Sequence, residues 1–488
     1  MEKPFNKILI ANRGEIAVRI IRTAKDMGIK TVAVYSDADR DSPHAFLADE
    51  KHYIGPSEPL KSYLNIEKIV EVAKKAEAEA VHPGYGFLSQ NPQFARRLEE
   101  EGITFIGPPP EVQEKVGHKL KARKFFSSRG IPVVPGTLEP VSLEDAVEEA
   151  ERIGYPVLIK PAGGGGGIGM SVAWSKDELE RGLQRASQLA KSAFSVDEVY
   201  LEKYLPKAKH IEVQILGDLY GNIIHLFERE CSVQRRYQKV IEETPSPAID
   251  EEESKTLYDY AVKAAKESNY VNAGTFEFLF DLEERKFYLL EVNSRIQVEH
   301  PITEAITGVD IVKEQIKIAA GERLNLEVKR HGHAIEARVY AEDPLNGFAP
   351  SPGLITKLQM PSGPWIRVDS GVYEGTEVPP YYDPLIMKVV SWGRSREEAR
   401  YRIIRALEET LIEGVKTNLG LLKEILSHHE FIKGSYTTSF LEKSNVVNRL
   451  RKEEKIIPRS VSRDTSKEKK LGVKSEFDAW KFSSRPWY

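Results

Sequence analysis

The sequence contains a single cysteine, Cys231, among 488 residues, which excludes a disulfide framework. It has no run of about 18 consecutive apolar residues, the length that a membrane-spanning helix needs. Its first residues, MEKPFNKILIANRGE, reach charged side chains after a short apolar run and so lack the pattern of a signal peptide. These absences predict a cytoplasmic protein that does not span a membrane.

An excess of charge of one sign is also absent. The chain has 70 Lys and Arg against 74 Asp and Glu, a formal net charge of −4. No overall field therefore attracts nucleic acid, and we expect no nucleic-acid partner. Hydrophobic residues make up 41% and charged residues 30%, as in a globular protein with a large core. The length predicts about three domains of roughly 150 residues each.

Strand and helix patterns alternate through residues 1–115. The apolar runs KILIA and KTVAVYSD flank GEIAVRIIRTAKDMG, which has helical periodicity, and the alternation continues to GITFIGP. This predicts a doubly wound α/β domain with a parallel sheet. The loops ANRGE and HPGYGFLSQN fall at the carboxyl ends of strands, where such sheets bind ligands. Neither loop is GxGxxG, which disfavours a dinucleotide site; tight packing of strand on helix is the alternative interpretation.

The run KPAGGGGGIGM, residues 160–170, places six glycines behind Lys160. It lacks the GK[ST] of a P-loop. The patterns on both sides, YPVLIKPA and MSVAWS, indicate strands, whereas a Rossmann loop must lead into a helix. The run therefore predicts a hairpin whose bare amide groups cover phosphates, as a moving lid does, while Lys160 supplies a cation. A flexible structural loop is the alternative.

Two strand patterns, TFEFLF and FYLLEVN, form a second predicted hairpin within residues 275–293. Glu277 and Glu291 lie at similar distances from its polar turn, so antiparallel pairing brings them together on the face that also carries Asn293. Like charges opposite each other destabilise a sheet, and a divalent cation between them removes the conflict. Two carboxylates and an amide oxygen suit Mg²⁺ or Mn²⁺ with substrate phosphates. A solvated polar face is the alternative.

Candidate groups for anion chemistry follow this hairpin or precede it. Arg295 offers a planar fork for a small oxyanion, and Glu299 is a candidate general base. His300 is the rival base, or simply a packed histidine. In ERECSVQRRYQK, Gln234 and Lys239 are predicted to line the same anion pocket, with a surface charge run as the alternative. The segment YLEKYL is typical of a strand-to-loop hinge whose backbone reads an adenine edge.

The last part of the chain divides into two segments. Residues 331–443 mix strand patterns, such as HAIEARVYAE and IMKVVSWG, with the helical SREEARYRIIRALEET, which predicts a mixed α+β domain. Residues 444–488 are rich in Lys, Arg, Ser and Glu, which predicts a disordered or loosely attached tail.

In this order and spacing the motifs resemble the biotin carboxylase subunit of biotin-dependent carboxylases, members of the ATP-grasp superfamily. The resemblance covers about residues 5–443 and rests on NRGEIAVRI, HPGYGFLSQN, Lys119, Lys160 with GGGGGIGM, EKYL, QRRYQK, GTFEFLF, EVNSRIQVEHPITE and PSPG. It implies an N-terminal pre-ATP-grasp domain at 1–115 and an ATP-grasp domain at 116–330. Within the latter it implies a mobile glycine-rich lid at about 132–203. A C-terminal α+β domain at 331–443 and the charged tail at 444–488 follow.

The resemblance also implies an activity. The family phosphorylates bicarbonate with MgATP, the resulting carboxyphosphate decays to CO₂, and N1′ of biotin captures the CO₂. The implied cofactors are ATP, Mg²⁺ or Mn²⁺, and biotin supplied on a carrier protein. The implied partners are a biotin carboxyl carrier protein, a second copy of the chain, which makes a homodimer, and a carboxyltransferase on its own chain. The final carboxyl acceptor stays open among acetyl-CoA, propionyl-CoA, pyruvate and 2-oxoglutarate.

Site residues are carried over from the family position by position. Nucleotide contacts are implied for Lys119, Lys160, Gly165, Gly166, Met170, Glu202, Lys203, Tyr204, Leu205, His210, Gln234, Tyr237, Glu277, Leu279 and Glu291. Metal ligation is implied for Glu277, Glu291 and Asn293. The implied bicarbonate and biotin site comprises Tyr85, Lys239, Arg295, Gln297, Val298, Glu299 and Arg338. The implied catalytic residues are Lys239, Arg295, Glu299 and Arg338, with Glu299 as the base that deprotonates bicarbonate and Arg338 as the cation that stabilises the biotin enolate.

Three positions depart from the family pattern. Tyr237 replaces a histidine of many relatives, Ile168 replaces a basic residue after the glycines, and His118 stands where an aspartate is common.

The Met-Lys-Met tip of a biotin carrier domain is missing, because LIMKVV, residues 385–390, indicates a strand interior. Biotin and the carboxyltransferase are therefore expected on separate chains. Another ATP-grasp carboxylate–amine ligase, or a nonenzymatic regulatory relative, are the alternative functions.

Overall fold

The computed structural model describes residues 3–142, 144–161, 169–194 and 198–450, with backbone alone for 187–194. The predicted contacts Gly165 and Gly166, the departure at Ile168 and most of the predicted tail, residues 451–488, lie outside the described residues. The start of the predicted tail is packed rather than loosely attached, because Val446 is fully buried and Val447 and Leu450 pack on the same apolar core. Within the described ranges, no helix combines the length and the apolar character that crossing a bilayer requires.

The N-terminal segment forms a five-stranded parallel sheet in the order β3-β2-β1-β4-β5, as predicted. Its strands are β1 (Lys7–Ile10), β2 (Lys30–Ser36), β3 (Glu50–Gly55), β4 (Ala80–His82) and β5 (Thr104–Phe105), and its helices α1 (Gly14–Asp26), α2 (Pro43–Leu47), α3 (Ile66–Lys75) and α4 (Pro92–Glu100). Alternate residues of β1 face opposite sides: Ile8 and Ile10 pack with α1, and Leu9 packs in the core that contains α3 and α4. Both faces are thus covered, as an all-parallel sheet requires.

A smaller unit follows, with a three-stranded antiparallel sheet in the order β7-β6-β8. Its elements and those leading into it are α5 (Pro110–Gly117), α6 (Lys119–Ser127), α7 (Asp145–Ile153), β6 (Val157–Pro161), β7 (Ser171–Ala173), α8 (Lys176–Phe194) and β8 (Val199–Lys203). Strands β6 and β7 pair in register from Val157 opposite Ala173. This confirms that the glycine run connects two strands of a hairpin. The unit has its own apolar core between the sheet, α7 and α8.

The largest element is an eight-stranded sheet in the order β13-β12-β9-β10-β11-β14-β21-β19. Its first part comprises β9 (Ala208–Gly217), β10 (Ile223–Arg235), β11 (Gln238–Thr244), β12 (Asn272–Asp281) and β13 (Lys286–Asn293), with α9 (Glu251–Glu267), α10 (His300–Thr307) and α11 (Ile311–Ala319). The next strand, β14 (His333–Tyr340), pairs with β11, with Ala337 opposite Ile241. One continuous sheet therefore joins the segments on either side of residue 330.

The remaining elements complete this sheet and cover it. They are β15 (Glu342–Asp343), β16 (Ala349–Pro350), β17 (Gly353–Leu354), β18 (Lys357–Gln359), β19 (Ile366–Ser370), β20 (Glu377–Val378), β21 (Leu385–Gly393), α12 (Arg396–Glu409), β22 (Leu411–Glu413), α13 (Leu419–Ser427), α14 (His429–Lys433) and α15 (Phe440–Lys443). Helices α12 and α13 cover one face with an apolar core. Helix α10 also packs on β11, β14 and β21, where the sheet carries buried charged side chains.

Candidate active site

The predicted carboxylate hairpin forms with Glu277 directly opposite Glu291 on β12 and β13. Nδ2 of Asn293 lies 2.9 Å from Oε1 of Glu277 and 3.4 Å from Oε1 of Glu291. Lys119 approaches from α6, with Nζ 3.7 Å from Oε2 of Glu291. One small group can therefore contact both carboxylates at once. Carboxylate and amide oxygens are the donors that Mg²⁺ and Mn²⁺ prefer, so these residues fit a divalent cation.

Lys239, near the start of β11, is the centre of the buried charge network. Its Nζ lies 2.6 Å from Glu212, 2.8 Å from Glu277 and 2.6 Å from Glu299, each time to a carboxylate oxygen. Burial alone lowers the pKa of Lys239, but the three carboxylates outweigh burial and raise that pKa well above its usual value. Lys239 is therefore a permanent cation, here shared among the carboxylates.

Glu299 immediately precedes α10 and lies between two cations. Its Oε1 is 2.6 Å from Nζ of Lys239, and its Oε2 is 2.9 Å from Nη2 of Arg338. Burial raises the pKa of Glu299, but Lys239 and Arg338 outweigh burial, so the pKa falls below its usual value. The carboxylate is therefore ionised and able to accept a proton.

His300, the rival base, is packed away from this cluster. Its ring is fully buried, and Nδ1 lies 2.7 Å from the carbonyl oxygen of Gln297. Burial, together with Lys388 and other nearby cations, holds the pKa of His300 well below its usual value. The geometry supports the interpretation of His300 as a packed, neutral histidine.

Two of the residues predicted to hold a small oxyanion, Arg295 and Gln297, lie on the loop between β13 and α10, whereas Gln234 lies on β10 and Lys239 on β11. Arg295 donates from Nε to Oε1 of Gln90 at 2.7 Å and from Nη2 to Oδ1 of Asn293 at 2.9 Å. Gln297 donates from Nε2 to Oε1 of Glu277 at 2.6 Å. The loop thus connects the predicted anion pocket to the predicted metal ligands through direct hydrogen bonds.

One cavity of about 920 Å³ brings these groups together. The loops ANRGE and HPGYGFLSQN both contribute to it, as predicted, and the hydroxyl of Tyr85 donates to Glu15 at its wall. The predicted site residues that line it are Tyr85, His210, Tyr237, Lys239, Glu277, Glu291, Asn293, Arg295, Gln297, Val298, Glu299 and Arg338. Residues far apart in the chain therefore share one solvent-accessible space.

Two of the residues predicted to contact phosphates, Lys160 and His210, lie on different sheets. Nζ of Lys160, on β6, lies 2.9 Å from Oε2 of Glu202, and Nη1 of Arg123 lies 2.9 Å from Oε1 of the same carboxylate. His210, on β9, contacts Oε2 of Glu277 through Nε2 at 3.0 Å and the amide of Gln234 through Nδ1 at 2.8 Å. The contact with Glu202 therefore holds Lys160 in place, and the contacts with Glu277 and Gln234 hold His210.

The predicted adenine contacts are distributed around the hinge. Lys203 closes β8, and its Nζ donates to the carbonyl oxygens of Gly154 at 2.8 Å and Tyr155 at 3.0 Å. The ring of Tyr204 lies edge-on to Trp174, with centroids 6.0 Å apart. The other predicted contacts are Leu205 at the end of the hinge, Met170 just before β7 and the half-buried Leu279 on β12. The side chain of Lys203 is therefore occupied by the α7–β6 connection.

Two of the departures from the family pattern have a clear place in the fold. Tyr237 is at the turn between β10 and β11, has a φ of 68° and is half exposed, so its ring borders the cavity mouth. His118 caps α6, because Nδ1 accepts the backbone N–H of Lys121. An aspartate would cap the helix in the same way, so the change preserves the start of the helix that carries Lys119.

Sequence reasoning missed the fully buried Arg229 on β10. Its guanidinium donates to Glu212 at 2.5 Å, to Gln214 at 2.8 Å and to Gln297 at 3.0 Å, as well as to two threonine hydroxyls. It therefore fixes Glu212, which contacts Lys239, and Gln297, which contacts Glu277. An arginine within a strand-forming stretch was the available signal, but it was interpreted as part of a charge run.

Glu291→Gln is expected to weaken binding of a divalent cation, because it removes one of two carboxylates from the hairpin. We expect the Kd for Mn²⁺, measured from free-ion electron paramagnetic resonance in the presence of ATP, to rise by about tenfold or more. Glu283→Gln, an exposed position on the turn of the same hairpin, is the matched control. Equal Mn²⁺ affinity in the two variants would show that Glu291 is not a ligand of the divalent cation.

Three family models match consecutive parts of the chain. The N-terminal domain of biotin carboxylase matches residues 4–113, the ATP-binding domain of the carbamoyl-phosphate synthase L chain matches residues 118–327, and the C-terminal domain of biotin carboxylase matches residues 336–443. Together they cover nearly all of the described chain.

Individual relatives are similar over most of their length. Biotin carboxylase 1 of Bacillus subtilis is 49% identical over 91% of this chain and 99% of its own. One of the subunits of the pyruvate carboxylase of Methanothermobacter thermautotrophicus is 50% identical over 90% of each chain. A crystal structure of the biotin carboxylase domain dimer of Hydrogenobacter thermophilus 2-oxoglutarate carboxylase, with MgADP, ADP and bicarbonate, superposes with a TM-score of 0.88. It is 48% identical over 91% of this chain and 98% of that chain.

Proposed function

Since the chain belongs to the biotin carboxylase family, we propose that it uses ATP and bicarbonate to carboxylate biotin at N1′. The roles of the residues are assigned from the position of Glu299 between Lys239 and Arg338 in the large cavity. This proton acceptor and its two cations lie beside Glu277, one of the predicted metal ligands. This arrangement suits a reaction that activates an oxyanion and then transfers its carbon.

In the first step, Lys239, Arg295 and Gln297 hold bicarbonate, and Glu299 removes its proton. Bicarbonate shares Lys239 with Glu299 when it binds, which weakens the stabilisation of the Glu299 carboxylate and raises its pKa. An oxygen of the resulting dianion attacks the γ-phosphorus of ATP, the bond to the β-phosphate oxygen breaks, and ADP leaves. The products are carboxyphosphate, ADP and a protonated Glu299.

The groups around the phosphates position the nucleotide and neutralise its charge. Lys119, Lys160 and His210 contact the phosphates, and the hinge at 202–205 holds the adenine. Glu277, Glu291 and Asn293 hold Mg²⁺ or Mn²⁺, which neutralises phosphate charge when bound. Phosphoryl transfer depends mainly on such positioning and electrostatic stabilisation.

In the second step, carboxyphosphate breaks at its C–O bond to give CO₂ and phosphate. N1′ of biotin loses its proton, attacks the carbon of CO₂ and forms the new C–N bond. The released phosphate is the strongest base formed in the cavity and takes the N1′ proton. Arg338 stabilises the negative charge that develops on the ureido oxygen, as a preorganised cation does.

We also propose that biotin arrives on a separate carrier protein, that the carboxyltransferase lies on a further chain and that two copies of the present chain form a homodimer. Lys388, which follows Met387, is fully buried on β21, and its Nζ lies 3.0 Å from Glu15. It therefore cannot carry biotin. The relative from a multisubunit pyruvate carboxylase and the dimeric structural relative support this arrangement.

The experiment that tests this function measures ADP release by the purified full chain with MgATP. We expect release that depends on bicarbonate and rises when free biotin is added. If the chain binds ATP but ADP release does not change when biotin is added, the alternative function of a carboxylate–amine ligase is favoured. Native mass spectrometry of the same sample is expected to show two copies of the chain without covalent biotin.

A further inference from the structure

Two carboxylates lie buried behind the cavity, and the reaction as proposed does not use them. Glu242 on β11 and Glu336 on β14 are directly opposite each other in register, and both are fully buried. Within the described part of the chain, no side-chain oxygen of either glutamate has a hydrogen-bond partner. Oε1 of Glu242 lies 2.5 Å from Nη2 of Arg338 but lacks the alignment of a hydrogen bond.

Nearby cations are already shared with other carboxylates. Nη2 of Arg338 also lies 2.9 Å from Glu299, and Nζ of Lys388 lies 3.0 Å from Glu15 and 2.9 Å from the carbonyl oxygen of Val298. The charged groups that act on the pair are Lys239, Glu299, Arg338 and Lys388. Around them, α1, α10 and β19 contribute Glu15, His300, Glu304, Arg367 and Asp369. Arg338 and Lys388 are thus already paired with Glu299 and Glu15, so a second ionised glutamate in this cross-strand pair would lack a cation of its own.

The titration behaviour of the pair agrees with this geometry. Burial raises the pKa of Glu242 to about 7. Burial also raises the pKa of Glu336 well above its usual range, although Lys388 opposes the shift. Two interacting buried carboxyls release their protons in separate steps, so the pair keeps one proton where isolated glutamates keep none. Glu299, a short distance away, is instead held ionised by its two cations.

We propose that Glu242 and Glu336 form a positioning pair that holds one proton and thereby lets Arg338 bridge Glu242 and Glu299. With one proton, the pair carries a single negative charge that holds the guanidinium in place. A neutral Glu336 also has an O–H group that can donate a hydrogen bond to Glu242, its cross-strand neighbour. Loss of the proton adds a second negative charge, which draws the guanidinium toward the pair and away from the cavity.

The sign of the pH effect follows from the raised pKa values. Glu242 loses its proton first, and the folded chain retains the last proton, on Glu336, to higher pH than the unfolded chain does. The contribution of the one-proton pair is therefore lost as pH rises through the raised pKa of Glu336. This inference rests on the proposed function, in which Arg338 stabilises the biotin enolate. The biotin-dependent rate should therefore weaken with rising pH relative to the bicarbonate-dependent rate without biotin.

The test compares those two rates of ADP release, with the full chain and MgATP, from about pH 6 to about pH 9. Effects on Glu299 or on bicarbonate enter both rates and cancel in their ratio. We expect the wild-type ratio to fall as pH rises above about 7, where Glu242 is already ionised and Glu336 begins to lose its proton. Glu336→Gln, which mimics the protonated acid, should abolish that fall, and Glu336→Asp should retain it at a shifted pH.

A second variant separates positioning from a purely structural role. Glu242→Gln removes the anion beside Arg338 and should lower the ratio at every pH. If Glu336→Gln and Glu242→Gln lower the melting temperature but leave the ratio and its pH dependence as in the wild type, the pair has a purely structural role and the inference is overturned. A flat wild-type ratio would also overturn it and leave the proposed function intact. Absence of bicarbonate-dependent ADP release would overturn both.

Discussion

Replacing Glu299 by glutamine is expected to lower bicarbonate-dependent ADP release by about 10²- to 10⁴-fold, the contribution of a positioned general base. Glutamine has nearly the same shape and still offers an oxygen to Lys239 or Arg338, but it cannot take the proton of bicarbonate. Steady-state ADP release with saturating MgATP measures the effect. The Kd for ATP should change little, since the contacts of Glu299 are to Lys239 and Arg338 rather than to Lys160.

A matched control applies the same change to a buried glutamate outside the cavity. Glu314, on α11, is 7% exposed and pairs with Lys317, so Glu314→Gln should retain the wild-type rate. A Glu299→Gln rate within about tenfold of the wild type would show that Glu299 is not the base. Attention would then turn to water or to the phosphates of the nucleotide, because His300 is packed away from the site.

Arg229→Met is expected to reduce the free energy of unfolding by about 3–5 kcal/mol, the usual result of removing one partner of a buried ion pair. The guanidinium is 0% exposed, and its loss leaves the acceptor oxygens of Glu212, Gln214 and Gln297 without their buried donor. Urea unfolding followed by circular dichroism measures the change. Arg229→Lys keeps the charge but loses the fork, so it should fall between the wild type and methionine.

The control for this stability prediction is an arginine in an exposed ion pair. Arg285 contacts Glu253 at 2.5 and 2.7 Å, and its side chain is 48% exposed. Arg285→Met should therefore cost about 1 kcal/mol or less. Equal destabilisation by the two substitutions would contradict the role of Arg229 as the buried support of the site.

Local patterns predicted the parts of the site that lie close together in the sequence. The short turn sets the register of the hairpin between β12 and β13 from Asp281 opposite Lys286 to Phe278 opposite Leu289. Spacing therefore predicted that Glu277 and Glu291 lie close together, but the irregularity that places them directly opposite each other was not predictable. The glycine hairpin was predictable for the same reason, since strand patterns flank it on both sides. In each case the chain brings two strands together through one turn.

Contacts between distant segments were not predictable in this way. Lys239 and Glu299 are 60 residues apart, and the link from Arg229 to Gln297 spans 68 residues. The ion pair between Lys388 and Glu15 connects β21 of the large sheet to α1 of the N-terminal segment. Periodicity reports which face of an element is buried, but it does not report which other buried face that element meets. The resemblance supplied the roles of Lys239 and Arg338, and the fold supplied their neighbours.

The pairing of β11 with β14 has a consequence for building chimeras from relatives of this chain. Exchange of the segment after residue 330 would place strands of two different origins side by side in one hydrogen-bonded ladder. The exchanged piece would also have to match the buried charges that face each other across that seam, Glu242 and Glu336 among them. Functional hybrids should therefore be more frequent when the crossover lies before β9 than when it lies at residue 330. A chimera should therefore exchange the whole sheet as one unit, although the sequence motifs divide it into two segments.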